Sequence, residues 1–389
     1  MAIQNGIVIA FALLYLPFIE EFGASRGEVA GIQSAVLLLG GFGGPLIGHA
    51  LDRLGPRRLF HAGALLAAAG FILASQAGSL SALFVTYGLI GGLGLAALGS
   101  QPNMVVAALW YPGASGRAIA VADLGTGLGA FLFIPLAQWL VSRHGWRSSL
   151  LVWAALLVVL VIPANAFQRL PAMAARRACR DKAAAGPWPQ EAWTLARATR
   201  APAFWWLVAV RFFSAMGFPL MNVHMVAFAV GAGVSPRATA AAFAAVSLVS
   251  LAGRLLTGWL SDRLGRAETL TLAYASAVVG IANLGLLAWT GWPGWLAGYV
   301  LFYGLAQGSS GIVTASRAAD VFAGKNFGAI YGWIVLAAGP GEAIGAWAGG
   351  ALFDLTGSYL WAFGFVVLVL LAGIAGIWQV HHPVRGREV

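Results

Sequence analysis

Four charged side chains lie most clearly within long apolar stretches of the sequence: Asp123, Arg211, Arg254 and Glu342. A charge at the centre of a membrane helix costs roughly 2.5 to 3.5 kcal/mol on insertion scales, so each of these positions suggests a function. The guanidinium of an arginine can bind a carboxylate, and a buried carboxylic acid can bind and release a proton. These residues therefore predict binding of an anion, transfer of protons, or both.

The neighbours of Arg254 place it on a polar helical face. Ser247, Ser250 and Arg254 are spaced by three and four residues, so they fall on one side of a helix. A planar guanidinium offers two parallel donors and suits a carboxylate better than an ammonium group does. We therefore interpret Arg254 as a ligand of an anionic substrate. Alternatively, Arg254 and Arg211 extend to the membrane surface and serve only as anchors.

The two acids leave two roles open. Burial favours the neutral form of a carboxyl group, so Asp123 or Glu342 could take up a proton and couple transport to it. Either acid could instead form a fixed ion pair with Arg254 or Arg211 that never titrates. The sequence does not choose between these roles.

Several uncharged or weakly basic polar residues could complete a binding cavity. They are Asn103, Asn222, His224, Tyr303 and Gln307. His224 could donate a hydrogen bond to a substrate oxygen or accept a proton. Hydrogen bonds between helices are the alternative use of these side chains.

The composition indicates that these residues lie in a membrane protein. Charged residues form 9% of the 389-residue chain, against roughly a quarter in soluble domains, whereas hydrophobic residues form 60%. A backbone in lipid must satisfy its own hydrogen bonds, so the apolar stretches are predicted to be helices and the fold class to be all-α. We predict twelve membrane spans, at residues 3–18, 28–49, 59–78, 81–108, 116–140, 147–167, 203–230, 237–260, 268–290, 293–316, 327–352 and 358–380.

Lys and Arg in the loops predict the orientation of these spans. With the N-terminus inside, most of them fall in cytoplasmic loops, as is typical of membrane proteins. Both termini are then cytoplasmic, and we expect the protein in the inner or plasma membrane of the cell. The net charge of +10 is spread over these loops, so we expect no nucleic-acid partner. The first span lacks a basic leader and a cleavage site, which favours a retained helix over a signal peptide.

The sequence lacks the usual patterns of catalytic and metal sites. Cys179 is the one cysteine, which excludes an internal disulfide and a thiolate cluster. The six histidines show no zinc-binding spacing, and no nucleotide-binding loop or nucleophile motif occurs. We therefore expect no metal, no cofactor and no enzymatic activity.

A repeated motif divides the chain into two parts. The sequence GHALDRLGPRR that begins at Gly48 returns as GWLSDRLGR beginning at Gly258. Each copy lies between the second and third predicted spans of its part. We predict an N-terminal half at residues 1–167, a cytoplasmic linker at 168–202 and a C-terminal half at 203–389. Such duplication is common in secondary transporters.

The pattern G-x-x-x-D-R-x-G-x-R-R resembles the signature loop of the major facilitator superfamily. The first copy matches every fixed position, and the second lacks the final basic residues. The resemblance implies two six-helix halves and a cytoplasmic gate formed by Gly48, Asp52, Arg53, Gly55, Arg57, Arg58, Asp262 and Arg263. The glycine permits a tight turn, and the charges can form ion pairs that break as the halves move. A loop that only sets the orientation is the alternative.

Five further segments carry a narrower resemblance: Glu20 to Arg26, Trp110 to Pro112, Gly145 to Arg147, His224 in its helix, and Asp354 to Tyr359. They resemble the branch of monocarboxylate transporters and oxalate:formate antiporters. This resemblance implies that Arg254 binds the carboxylate of the substrate and that His224 is the histidine usual in the branch. Members often carry an Asp one turn before that Arg, where this chain has Ser250, so their proton-linked ion pair does not carry over.

Together these patterns predict a monomeric secondary transporter that works by alternating access. Its substrate is expected to be a small organic anion, in particular a monocarboxylate, moved by proton symport or by anion exchange. Two other functions stay open. An exporter of a neutral or cationic amphiphile would use Asp123 and Glu342 instead of Arg254, and a membrane sensor would keep the fold without transport.

Overall fold

The computed structural model of the chain describes residues 1–100, 102–103, 106, 115–166, 193–322 and 327–380. Within these ranges the regular structure is helical, with no strand, which confirms the all-α prediction. The helices are α1 (Ala2–Phe22), α2 (Arg26–Ser75), α3 (Leu80–Leu83), α4 (Gly92–Ala97), α5 (Ser115–Leu156), α6 (Ile162–Ala166), α7 (Leu195–Ala198), α8 (Pro202–Gly231), α9 (Pro236–Arg263), α10 (Arg266–Thr290), α11 (Trp295–Ala306), α12 (Ser309–Phe322), α13 (Phe327–Leu336), α14 (Ala338–Thr356) and α15 (Tyr359–Trp378). Two π-helical segments, Phe84–Gly91 and Leu157–Val161, connect α3 to α4 and α5 to α6.

The repeated loop forms the same tight turn in both copies. Gly55 (φ 77°, ψ 164°) lies between the two arms of α2, and Gly265 (φ 111°, ψ 163°) lies between α9 and α10. A positive φ suits glycine because a Cβ atom would be strained there. Similar conformations at corresponding positions of the motif agree with the duplication found in the sequence.

Eight segments of the described part are long and apolar enough to cross a membrane. They are Ala2–Phe22, Arg53–Ser75, Leu80–Ala97, Gly125–Ala166, Pro202–Gly231, Pro236–Arg263, Arg266–Thr290 and Tyr359–Trp378. One of them contains a turn at Gly145 (φ 74°) and so covers two predicted spans. Large apolar side chains point outwards, such as Leu255, which is 74% exposed, and Leu368, which is 66% exposed. Such faces suit lipid rather than water, and the chain is a multi-pass membrane protein.

The first helix is longer than predicted. It continues through Glu20 and Glu21 to Phe22, which gives it 21 residues, and it ends at Gly23 in the left-handed conformation (φ 60°). The two acids therefore belong to the helix and do not mark its end. The helix can hold them because they lie at its last turn, where Glu21 has hydrogen-bond donors from α5.

Three of the predicted spans are interrupted within the described residues, and the first of them, 81–108, is broken at Leu98 and Gly99. Gln307 is extended (φ −65°, ψ 123°) and Gly308 has φ 92°, so α11 and α12 are separate helices. A turn at Ala337 separates α13 from α14, three residues before Pro340. Proline has no N–H group to donate to the preceding turn, so Pro340 in the first turn of α14 suits this interruption. The break at Gln307 was not predicted.

Helices from the two predicted halves pack together in the centre. Helix α1 contacts α8, α2 contacts α14, and α5 contacts α9. Helices α2 and α14 approach closely where Gly41 faces Gly339. A Cβ atom added to Gly339 would lie 2.8 Å from the Cα of Gly41, so the contact depends on glycine. Ser34 Oγ also donates to the carbonyl oxygen of Ala343 over 2.8 Å. The exact boundaries of the halves stay a prediction, and most of the predicted linker lies outside the described residues.

Candidate functional site

A cavity of about 190 Å³ lies where α1, α2, α8 and α14 meet. Its wall is largely apolar and includes Phe11. The polar lining consists of Asn5, Gln33, Asn222 and Glu342. Since these helices belong to both predicted halves, a ligand in the cavity would contact both, as alternating access requires.

Two polar residues of the cavity wall, Asn5 and Gln33, are not among the predicted site residues. Asn5 Nδ2 donates to the carbonyl oxygen of Thr126 (2.8 Å), and Gln33 Nε2 donates to that of Val8 (3.1 Å). Gln33 is 4% exposed, and its Oε1 has no hydrogen-bond partner among the described residues. The available signal was a polar residue inside a predicted span, which is a weak signal for an uncharged side chain.

Asn222 and Gln307, both predicted site residues, form a hydrogen bond with each other. Gln307 Nε2 donates to Asn222 Oδ1 over 3.1 Å. Asn222 lines the cavity, whereas Gln307 lies in the break between α11 and α12. This bond therefore connects the cavity wall to the break.

Arg254 packs against the same break. A Cβ atom at position 308 would lie 2.8 Å from Nε of Arg254, so the contact depends on Gly308. Nε of Arg254 is buried, and so is Ser250, whose hydroxyl donates to the carbonyl oxygen of Ser247 over 2.7 Å. The predicted polar face of α9 thus lies within the helix packing. This placement argues against the interpretation of Arg254 as a surface anchor.

The two other intramembrane charges with described side chains are Arg211 and Glu342. Arg211 Nη1 donates to Ser310 Oγ over 2.8 Å, so its side chain points into the bundle rather than to the membrane surface. Glu342 lies in the cavity wall. Neither forms an ion pair with a described residue. The side chain of Asp123 lies outside the described part of the chain.

Five residues from three helix ends meet at the end of the bundle that the predicted orientation places outside. Asp354 accepts hydrogen bonds from the backbone N–H groups of Arg26 (2.9 Å) and Gly27 (2.6 Å) at the start of α2. The guanidinium of Arg26 donates to the hydroxyl of Tyr359 and lies 3.8 Å from the ring centre of Phe353. We call these five residues the outer cluster. It joins α2 to the end of α14 and the start of α15.

His224 belongs to the neighbourhood of the outer cluster rather than to the cavity. It is fully buried, and its Nε2 donates to the carbonyl oxygen of Ala346 over 2.8 Å. Its ring lies 5.1 Å from that of Tyr15, whose hydroxyl donates to the carbonyl oxygen of Arg26. His224 is predicted as a substrate ligand, but it is not part of the cavity wall. Its hydrogen bond instead ties α8 to α14.

Two other motifs of the narrower resemblance also meet at this end. Glu21 accepts hydrogen bonds from the indole of Trp146 and from the guanidinium of Arg147. Arg147 also donates to the carbonyl oxygen of Ala77 over 2.9 Å. These contacts hold α1, α5 and the end of α2 together. The predicted motif Trp110 to Pro112 is outside the described residues. Each of the other four motifs of the branch takes part in contacts at this end.

The first copy of the predicted cytoplasmic gate is described in part. Gly48 lies within α2, and the side chain of Asp52 lies outside the described part. Arg53, Arg57 and Arg58 are exposed and form no ion pair with a described residue. Their role as a gate stays a prediction.

The second copy forms its ion pairs within one predicted half. Arg266 binds Asp262 one turn away (2.6 Å) and Asp320 of α12 (3.0 Å). The guanidinium of Arg263 lies 4.4 Å from the ring centre of Trp259. The sequence predicts ion pairs between the halves. In this structure Asp262 instead pairs with Arg266, which lies four residues ahead and therefore one helical turn away.

Asn103 does not reach the cavity. Its Nδ2 donates to the carbonyl oxygens of Leu98 (2.9 Å) and Gly99 (2.8 Å), which caps the end of α4. This local bonding accounts for a polar side chain at that position without a ligand. No group of three His, Cys, Asp or Glu residues that could hold a metal occurs in the described ranges.

Comparison with known proteins gives both a family and its relatives. Monocarboxylate transporter 13 of Rattus norvegicus is 29% identical over 382 residues, which is 98% of this chain and 86% of that protein. Monocarboxylate transporter 3 of Mus musculus is 35% identical over 153 residues, which is 39% of this chain and 31% of that protein.

Solved structures agree on the fold. A crystal structure of a D-xylose-proton symporter has a TM-score of 0.75 at 15% identity, covering 100% of this chain and 98% of that one. The inward open conformation of the xylose transporter of E. coli also has a TM-score of 0.75, at 16% identity, covering 99% and 95%. The profile of the Major Facilitator Superfamily matches residues 1–318. The chain therefore belongs to the major facilitator superfamily, and it is a secondary transporter rather than an enzyme.

Proposed function

We propose that the chain transports a small monocarboxylate by alternating access and that Arg254 binds the carboxylate. The observation that carries this proposal is the position of Arg254, with Nε buried against Gly308. That break in the helix is connected to the cavity by the bond between Gln307 and Asn222. A guanidinium can give two parallel N–H donors to a carboxylate. The similarity to monocarboxylate transporter 13 over nearly the whole chain supports the same substrate class.

Glu342 is the group that we assign to proton coupling. It lines the cavity and forms no ion pair with a described residue, so its charge can change without breaking a fixed contact. Asp123 is the second candidate for this role. Coupling through either acid gives proton symport, and transport without net proton movement gives anion exchange.

The transport cycle follows from the position of the cavity between the two predicted halves. The outer cluster closes one end, so its separation would admit the substrate from that side. The loops at Asp52 and Asp262 act at the opposite, cytoplasmic end. In this scheme both termini are cytoplasmic, the protein lies in the inner or plasma membrane, and the monomer is the working unit.

Uptake into proteoliposomes tests the proposal. Labelled lactate, pyruvate, formate and oxalate are supplied with and without an inward proton gradient. We expect Arg254→Ala to reduce uptake of the transported acid at least about 100-fold, because charged hydrogen bonds contribute roughly 1.5 to 3 kcal/mol each. Arg254→Lys keeps the charge but loses the parallel donors, so it should recover only part of the activity.

The matched control is Arg237→Ala, which removes an exposed arginine at the start of the same helix. It should transport as the unchanged protein does. Dependence on the gradient separates symport from exchange. If no carboxylate moves, or if Arg254→Ala transports normally, the proposed substrate class is wrong.

Export of a neutral or cationic amphiphile is the second candidate. The observation that favours it is that Glu342, and not Arg254, is part of the described cavity wall. In the same vesicles, efflux of a lipophilic cation that is lost in Glu342→Gln and kept in Arg254→Ala would support the exporter.

A further inference from the structure

Helix α12 begins inside the bundle, at the break after α11. The conformations of Gln307 (ψ 123°) and Gly308 (φ 92°) interrupt the helix, and α12 then runs for 14 residues from Ser309. The first N–H groups of such a helix have no acceptor within the helix, and its dipole gives this end a positive partial charge. Ser309 is 0% exposed, and its hydroxyl has no hydrogen-bond partner among the described residues.

Two arginines from different helices reach this helix start. Arg254 of α9 contacts Gly308, and Arg211 of α8 donates to the hydroxyl of Ser310 over 2.8 Å. Nε of Arg211 is buried and has no hydrogen-bond partner in the described ranges. The two guanidinium groups thus contact Gly308 and Ser310, the residues on either side of Ser309.

Two buried groups at this place, the hydroxyl of Ser309 and Nε of Arg211, have no hydrogen-bond partner among the described residues. Glu342 and Arg211 form no ion pair with each other. A buried donor without an acceptor is costly, and a cation in a membrane protein normally has a counter-charge. A small anion with several acceptor oxygens would satisfy the hydroxyl of Ser309, Nε of Arg211 and the first amides of α12 together. Interrupted membrane helices use their N-terminal ends for anionic groups of substrates in this way.

We propose that the substrate carboxylate binds at the start of α12, between Arg211 and Arg254, with the hydroxyl of Ser309 as a further donor. Arg211 is therefore a second substrate ligand, in addition to Arg254. This inference rests on the proposed function, since it takes a monocarboxylate as the substrate. It also explains why the helix is broken at this depth: an unbroken helix would leave no free N–H groups for the carboxylate.

Binding to the purified protein tests the proposal. Labelled lactate and pyruvate are titrated against the unchanged protein, Arg211→Gln, Arg211→Lys, Ser309→Ala and the control Arg237→Gln, and thermal unfolding of each is recorded. We expect Arg211→Gln to weaken binding by about 10- to 100-fold and Ser309→Ala by about 3- to 10-fold. Arg211→Lys should recover part of the affinity, and the control should bind normally.

Competition by lactamide, the neutral amide of lactate, separates a ligand from a structural residue. If Arg211 holds the carboxylate, Arg211→Gln loses lactate affinity while its weak affinity for lactamide stays the same. An equal loss for both compounds, or normal lactate binding by Arg211→Gln and Ser309→Ala, would overturn this site and leave the proposed function standing. If the unchanged protein binds no monocarboxylate, the proposed function is wrong and the site is withdrawn with it.

Discussion

Gly308 is the residue on which the geometry of the candidate site depends. Its φ of 92° breaks the helix, and its missing side chain lets Nε of Arg254 come close. Gly311, one turn further on, has no atom within 4 Å of the place where a Cβ would lie. The two glycines therefore differ in what they permit, although both lie in the same short stretch of sequence.

We predict that Gly308→Ala greatly reduces transport. The new Cβ would lie 2.8 Å from Nε of Arg254. The alanine would also have to adopt a strained positive φ, which costs about 1 to 3 kcal/mol. Uptake of the transported acid should fall at least about 10-fold, and thermal unfolding should shift to lower temperature. Gly311→Ala is the control and should leave both unchanged, since alanine favours a helix. Equal behaviour of the two variants would contradict the role assigned to the break.

At the scale of helices, the close contact between α2 and α14 joins the two predicted halves. Gly41 and Gly339 lie backbone to backbone, and Ser34 donates to the carbonyl oxygen of Ala343. Gly40 is the neighbour of Gly41 and has open space where its side chain would lie. Packing of backbones through small residues is a common way to hold membrane helices together.

We predict that Gly41→Val disturbs this helix pair. The added side chain would meet the backbone of Gly339, and overpacking costs about 1 to 3 kcal/mol. The variant should unfold at lower temperature in detergent and transport more slowly. Gly40→Val should behave as the unchanged protein within error. A stable and active Gly41→Val protein would show that the contact between α2 and α14 is not needed.

For the whole molecule, the outer cluster links both predicted halves at one end. Both oxygens of Asp354 accept N–H groups from the first turn of α2, where a negative charge also suits the helix dipole. The end of one half thereby caps a helix of the other. In the proposed transport cycle this cap must break before the cavity opens on that side, so we expect it to contribute to the balance between the two conformations.

We predict that Asp354→Asn opens the outer end more often. Loss of the charge weakens two hydrogen bonds, which should raise the open population by about 10-fold. The measurement uses Gln33→Cys in the cavity wall as a reporter, with Cys179→Ser in the same protein. A thiol reagent that cannot cross the membrane is added from outside, and Asp354→Asn should raise the labelling rate. Asp262→Asn, at the other end, is the control, and equal rates for both would refute the assignment.

The sequence by itself determined the fold class, most of the helices and the repeat. The length of the apolar stretches and the need to satisfy backbone hydrogen bonds in lipid predict the helices. The repeated short motif predicts the turn at Gly55 and its repeat at Gly265. The intramembrane position of Arg254 could be predicted for the same reason. A charge in an apolar stretch is visible without knowing what surrounds it.

Only the tertiary structure decided which side chains meet. Asn222 forms a hydrogen bond with Gln307, and Arg254 packs against the helix break at Gly308. Hydropathy does not reveal this break, because glutamine and glycine also occur in unbroken membrane helices. His224 lies outside the cavity wall and donates to the carbonyl oxygen of Ala346, whereas Gln33 lies in the cavity wall. The physical reason is that such contacts depend on how helices far apart in the chain are rotated and packed, which no local pattern specifies.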